Sequence, residues 1–112
     1  MDNCLFCRIG SREIPSQMVY ENESLFAIQD INPQSPVHLL IIPRKHIAGI
    51  SDTETSDREL LGNLILCAKK LAEQERVEAY RLVFNNGAKA GQSVFHIHLH
   101  LLGGRKMNWP PG

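Results

Sequence analysis

The stretch Val94-Phe95-His96-Ile97-His98-Leu99-His100-Leu101-Leu102 constrains the fold more than any other part of the chain. It sets three of the five histidines at every second position, with apolar residues between them. Side chains on a strand alternate faces, so this period predicts a strand from Phe95 to Leu102. Phe95, Ile97, Leu99 and Leu101 would then pack beneath a helix, while His96, His98 and His100 line something else. A single imidazole there would read as an ordinary hydrogen-bonded residue on a half-exposed face; three in alternation do not. Neutral imidazole is a common zinc ligand. At roughly 3.3 Å per residue, however, His96 and His100 would lie about 13 Å apart, so two of the three can share an ion but all three cannot.

Short strands and one long helix account for the rest. Gln17 to Glu21 and Leu25 to Gln29 flank the polar turn Asn22-Glu23-Ser24 and read as a hairpin. After the proline-punctuated loop Asp30 to Pro36, Val37 to Ile42 is apolar on both faces and reads as a central strand. Ser56-Asp57-Arg58-Glu59 has the form of a capping box. Leu60, Leu61, Leu64, Cys67, Ala68, Leu71 and Ala72 follow at helical spacing, which predicts a helix from about Asp57 to Arg76. Tyr80 to Asn85 completes the strands. The expected fold is α+β: a five-stranded, mostly antiparallel sheet, one face covered by the long helix, with a short N-terminal helix. All 112 residues form one expected domain.

Twelve basic residues balance twelve acidic ones without a long run of either sign. That gives no electrostatic footprint for nucleic acid or for an anionic membrane, and small ligands are the expected partners. The longest apolar runs, Val37 to Pro43 and Val94 to Leu102, are too short to span a bilayer. The opening MDNCLFCRIG lacks the basic-then-apolar layout of a signal peptide, so a cytoplasmic location is expected. There, three cysteines are no disulfide framework.

The histidine strand follows a loop, Asn85 to Ser93, with glycine at positions 87 and 91. Glycine lets backbone N–H groups approach an anion closely, and Gln92 and Ser93 add side-chain donors. Alone the loop would be an ordinary connection; directly before His-x-His-x-His it points to phosphate. Cys4-Leu5-Phe6-Cys7 reads three ways: two incidental thiols on a short helix, a redox pair, or half of a metal site. No adjacent strand-helix pattern supports the redox reading. Cys67 falls on the apolar stripe of the long helix and reads as a small core residue.

His96 to Leu102 matches the His-φ-His-φ-His-φ-φ signature of the histidine triad (HIT) superfamily, and the chain resembles its nucleotide-binding (HINT) branch. Ile14-Pro15, Asp30 to Pro36, His38, Ile42-Pro43, Gly91-Gln92-Ser93-Val94, Leu102-Gly103-Gly104-Arg105 and Trp109-Pro110-Pro111-Gly112 carry the likeness over nearly the whole chain. The resemblance implies a HIT-like fold, a homodimer with a sheet continuous across both copies, and hydrolysis of purine nucleoside phosphoramidates such as adenosine 5′-monophosphoramidate. A regulatory nucleotide-binding module with incidental turnover and a dinucleoside polyphosphate hydrolase are the alternatives. Gly91-Gln92-Ser93 and the Trp-Pro-Pro-Gly ending favour the HINT branch over the last.

By that resemblance, His98 is the nucleophile, attacking phosphorus through Nε2 to form a nucleotidyl-histidine. His100, Asn85, Gln92, Ser93 and backbone N–H groups near Gly91, Ser93 and Val94 would serve the phosphate. Ser93 would also help the leaving amine. His38 reads either as an orienting partner of the triad or as a buried structural histidine. Asp30 would accept from the ribose hydroxyls. Phe6, Ile9, Ile28 and Ile31 would form the base slot, with Ile28 also readable as core. Some family members bind structural zinc through a Cys-x-x-Cys and two histidines; the corresponding ligands are Cys4, Cys7, His46 and His96, a closed set. The Arg105 to Gly112 tail is expected to pack its tryptophan against a partner copy and shape that copy's site.

Overall fold

The computed structural model describes residues 3–112. Val37–Pro43 is buried along almost its whole length and forms the central strand of a five-stranded sheet. The strands are β1 (Met18–Glu21), β2 (Leu25–Gln29), β3 (Val37–Pro43), β4 (Tyr80–Val83) and β5 (Leu99–Gly103), in the order β1-β2-β3-β5-β4. Every neighbouring pair is antiparallel. The β1–β2 hairpin closes on Asn22, whose Oδ1 accepts from the amides of Ser24 and Leu25 at 2.8 and 3.0 Å. Two α-helices, α1 (Leu5–Gly10) and α2 (Arg58–Gln74), complete the main elements.

Alternation along β3 divides the interior. Leu39 and Ile41 face α2 and join Leu64, Cys67, Ala68, Leu71, Leu99 and Leu101 in the larger core. Leu40 and Ile42 face the other way, into a smaller core with Phe6 and Ile9 of α1 and Phe26 and Ile28 of β2. Leu64, Leu71, Leu99 and Leu101 are essentially inaccessible, so truncating any of them to alanine is expected to cost about 2 to 5 kcal/mol. The smaller core matters most for function, because the histidines lie on its side of the sheet.

Several boundaries differ from expectation. β5 begins at Leu99 instead of Phe95, and His96 and His98 precede it in irregular backbone. The β3–β5 register runs to Ile41 opposite Leu99, and its continuation would bring Ile97 opposite Pro43. Proline has no N–H to donate, so the ladder cannot extend. Ile97 instead donates to the Ile47 carbonyl at 2.7 Å. Phe95, expected beneath the helix, is therefore 53% exposed. β4 stops at Val83.

The capping box also differs. Glu54 and Asp57 form the reciprocal pair, around a 3-10 turn, Thr55–Asp57, that leads into α2. Asp57 is buried and holds the Lys45 ammonium at 2.7 Å, and the capping pair lies two residues before the expected Ser56 to Glu59 box. Both the hydrogen bond from Lys45 and the Glu54 amide hold the Asp57 carboxyl below its usual pKa. Trp109 is 82% exposed, with the Arg81 guanidinium carbon 5.9 Å from its ring centroid.

Candidate functional site

The three alternating histidines have different hydrogen-bond partners, and these partners fix where each ring carries its proton. His96 is fully buried, and its Nε2 lies 2.7 Å from the Pro43 carbonyl. A carbonyl only accepts, so Nε2 carries the proton and Nδ1 keeps a lone pair. His98 is the reverse: its Nδ1 donates to the His96 carbonyl at 2.7 Å, which leaves the lone pair on Nε2. Burial pushes the pKa of both rings below the ordinary histidine value, so they are neutral at pH 7.

His100 receives its tautomer through His38. The Gln34 amide donates to His38 Nδ1 at 3.0 Å, so the His38 proton sits on Nε2. That nitrogen is 2.9 Å from His100 Nδ1 and 3.3 Å from Asp30 Oδ2. His100 Nδ1 therefore accepts, and its Nε2–H is available to donate elsewhere. Burial, with His98 and His38 adding to it, takes the His100 pKa down to about 4. Burial also lowers that of His38, with Asp30 opposing. A neutral donor thus stands beside a neutral lone pair, with the His98 and His100 ring centroids 5.0 Å apart.

His98 and His100 open into a cavity of about 410 Å³. Phe6, Ile9, Ile28, Leu40 and Ile14 form apolar walls, and Asp30, Gly91, Ser93 and Val94 also line it. The Phe6 ring meets His98 edge-on at 5.0 Å and holds it from the α1 side. An aromatic ring or heterocycle fits such a slot, with Asp30 at hand for hydroxyl donors. Gly91, at φ 103°, adopts a backbone conformation that favours glycine and turns the loop toward the histidines.

Some expected contributors sit elsewhere. Gln92 is buried and its amide is fully engaged by backbone: it donates to the Ala48 and Val94 carbonyls and accepts from the Gly87 amide. It pins the glycine loop to the 46–50 segment instead of presenting an amide to a ligand. Asn85 is outside the slot lining and packs under Gly91. Ile31 reaches only the rim and is fully exposed. Leu5, Ser16, Gln29 and Leu40 line the slot without being among the expected site residues, and so do Ile14 and Pro15, which the sequence marked only as part of the family likeness. Leu40 had a signal, since it shares a strand face with His38; the 14–16 segment had one only in the Ile14-Pro15 likeness and none in periodicity.

A second cluster lies behind His96. Cys4 Sγ, Cys7 Sγ, His46 Nδ1 and His96 Nδ1 all fall within 4.8 Å of one another. Cys4 Sγ is 3.3 Å, Cys7 Sγ 3.5 Å and His46 Nδ1 3.1 Å from His96 Nδ1. Tetrahedral zinc at its usual bond lengths has ligand edges of roughly 3.3 to 3.8 Å, so these donors need move only tenths of an ångström. The His96 lone pair already points inward, because the Pro43 carbonyl holds the opposite nitrogen. Asp30, His38 and His100 also converge. Their tautomers oppose a metal, since His38 Nε2 carries the proton while its Nδ1 accepts from Gln34. No two triad histidines share a cluster among the described residues.

A HIT domain model matches residues 11–107. The chain belongs to the HIT domain family. The crystal structure of a HIT family hydrolase from Legionella pneumophila Philadelphia 1 is 57% identical, covers 98% of this chain and 100% of its own, and superposes with a TM-score of 0.95. A 14 kDa zinc-binding protein of Zea mays is 51% identical over 96% of this chain and 87% of its own length. A histidine triad nucleotide-binding protein from Candida albicans, 31% identical over 96% and 83% of the two chains, superposes with a TM-score of 0.82. Cys4 and Cys7 lie on the N-terminal side of the segment matched as HIT domain, while His46 and His96 lie within it.

Proposed function

We propose that the protein hydrolyses purine nucleoside 5′-phosphoramidates through a nucleotidyl-histidine at His98. The observation that carries this reading is the pair of opposed tautomers: an Nε2 lone pair on His98 beside an Nε2–H on His100, at the end of an apolar slot bearing a carboxylate. The first of these attacks phosphorus; the second donates to a nonbridging oxygen as charge develops there. The P–N bond breaks, and the amine leaves with a proton passed by the Ser93 hydroxyl, which water replenishes. As His98 Nε2 bonds to phosphorus its ring becomes cationic, and its Nδ1–H bond to the His96 carbonyl strengthens. Water then attacks phosphorus, the P–Nε2 bond breaks, and nucleoside monophosphate departs. Asp30 accepts from the ribose, and the Phe6, Ile9 and Ile28 walls hold the base.

Cys4, Cys7, His46 and His96 would hold structural zinc. A closed set of four protein ligands supplies stability, with no open position for chemistry. The donor chemistry and the named zinc-binding relative in maize support this assignment. We also assign a homodimer, supported by exposed apolar side chains, Ile65 and Leu66 of α2 and Tyr80 at the start of the edge strand β4. A second copy would pair with that edge, and the Arg105 to Gly112 tail would reach its site. The proposed location is the cytoplasm; no helix among the described residues is long and apolar enough to cross a membrane.

Purified protein mixed with adenosine 5′-monophosphoramidate should release adenosine monophosphate and form an acid-labile adenylyl-protein in rapid-quench samples. Retention of adenosine monophosphate without turnover of the amide would favour a binding module. Faster hydrolysis of dinucleoside polyphosphates than of the amide would favour that branch instead.

A further inference from the structure

The loop between β2 and β3 carries two parts of the site. Asp30 opens it and lines the slot, and the Gln34 amide, 3.0 Å from Nδ1, sets the His38 tautomer. Asp30 needs little help to stay in place, because its own amide donates to the His38 carbonyl at 3.0 Å and prolongs the β2–β3 ladder. Gln34 lies further out, past Pro33, in backbone that belongs to no strand or helix. Its side chain folds back to donate to the Asn32 carbonyl at 3.0 Å, a bond within the loop that does not fix the loop to the domain.

The anchor comes from the turn after β5. Val37 stands opposite Gly103 in the sheet, so that turn runs beside the loop. Gly104 passes so close to Pro36 that a Cβ there would meet the proline Cβ at 2.9 Å, and its φ of 92° suits glycine. Arg105 then donates from Nε to the Gln34 carbonyl at 2.9 Å and from Nη1 to the Lys106 carbonyl at 3.0 Å. Among the described residues its guanidinium pairs with no carboxylate. Gln34 is thus held at its carbonyl by Arg105 and gives its amide to His38.

We propose that Arg105 is a positioning residue for the phosphoryl-transfer step: by holding the Gln34 carbonyl it keeps the Gln34 amide on His38 Nδ1, and with it the Nε2–H of His100 that serves the phosphate. The inference rests on the phosphoramidase reading. If the Gln34 amide withdraws, the His38 proton is free to move to Nδ1. His38 Nε2 then has a lone pair, His100 Nδ1 must donate to it, and His100 Nε2 turns a lone pair toward a nonbridging oxygen, where a donor is needed. Asp30 Oδ2, 3.3 Å from His38 Nε2, opposes that exchange, but the ribose hydroxyls compete for this carboxylate once substrate is bound. Arg105 lies outside the slot lining and acts through Gln34.

Glutamine places its amide nitrogen as many bonds from Cα as arginine places Nε, and methionine has the same length without a donor. The test compares full-length Arg105→Gln and Arg105→Met with the parent, reading turnover of adenosine 5′-monophosphoramidate and nitrogen-15 spectra of the histidine rings. Arg105→Met should lower kcat about tenfold, as loss of an exposed hydrogen bond from a charged donor does, with KM within about threefold because Asp30 and the slot walls stay in place. Its His38 and His100 ring nitrogens should exchange between the two tautomers. Arg105→Gln should return kcat to within about threefold of the parent and restore the parent's spectrum, since the donor is back. Parent-like kcat and tautomers in Arg105→Met would overturn the proposal, as would an Arg105→Gln as impaired as Arg105→Met. A raised KM with unchanged kcat, or an altered oligomeric state by sedimentation, would make the residue structural and overturn it too. A parent that turns over no amide would sink the phosphoramidase reading alone; the His38 spectrum of Arg105→Met would then decide the clamp by itself.

Discussion

Removing the proposed zinc should detach α1 from the domain before the domain unfolds. A six-residue helix has no stability of its own. It is held by Phe6 and Ile9, 4% and 7% exposed, and by the Arg44 guanidinium, which donates to the Gly10 carbonyl at 2.7 Å. Burying the two side chains contributes about 3 to 6 kcal/mol. Ordering six residues costs about 6 to 12 kcal/mol. The deficit of a few kcal/mol is what a metal would supply: at a free concentration 1,000 times its Kd, a ligand specific for the folded state adds about 4 kcal/mol. For a chain of this length that is roughly 15 °C in Tm.

Chelation of the parent, and Cys4→Ser/Cys7→Ser, should therefore lower Tm by about that amount and speed amide exchange over residues 5–10 while β3 and β5 stay protected. The slot loses two of its walls when α1 leaves, so KM for the amide should rise at least tenfold. The fall in kcat should be smaller, because the tautomers of His98 and His100 are set by groups outside α1. Calorimetry, exchange mass spectrometry and steady-state kinetics on matched samples read all three. Metal-free protein with unchanged Tm and protected α1 amides would refute the reasoning, as would one zinc per chain retained by the double serine variant.

Other outcomes follow from the same geometry. His98→Ala should abolish hydrolysis and the covalent adenylyl-protein while metal content and Tm stay close to the parent's; zinc lost along with His98 would refute the division of roles. Asp30→Asn keeps the shape but removes a charged acceptor, and should weaken ribonucleotide binding by about 1 to 3 kcal/mol in calorimetric titration, with little effect on a 2′,3′-dideoxy analogue. His100 has a folded pKa of about 4, below its unfolded value near 6.5. The unfolded chain binds the proton first as pH falls, so stability contributed by this ring is full above about 6.5 and is lost between there and 4, by at most about 3 kcal/mol. Urea unfolding at intervals across that window checks the sign; stability that rises toward pH 4 would contradict it.

The sheet was legible because its periods are clean. Val37 to Ile42 reads as a strand buried on both faces, and it is; the stripe from Leu64 to Ala72 reads as one helix face, and its residues pack on Leu39 and Leu101. The triad segment was legible in composition and not in geometry. Its alternation implied one straight strand, but Pro43 lies where the partner of Ile97 would be, and a missing donor on a neighbouring strand leaves no mark in the local pattern. Gln92 misled for a similar reason: a donor-rich side chain before a catalytic segment looks available, and only the positions of Ala48 and Gly87 reveal that its amide is already occupied. Slot residues 14–16 come from a loop whose path depends on α1, so no periodicity singles them out.

That broken ladder also explains how three chemically identical side chains diverge. In a regular strand the His96 carbonyl would be directed at a neighbouring strand's amide. That carbonyl lies on the β4 side of the chain, where β4 has already ended at Val83, so it is left to accept from His98 Nδ1. The Pro43 carbonyl is similarly left to accept from His96 Nε2. The end of the ladder on both edges therefore orients two imidazoles, with His96 presenting Nδ1 to the cysteines and His98 presenting Nε2 to the slot. His100, already inside β5, escapes this influence and takes its tautomer from His38 through the Gln34 amide. The proposed metal site and nucleophile are thus two consequences of the same backbone irregularity, coupled through a single carbonyl and not through a shared ligand.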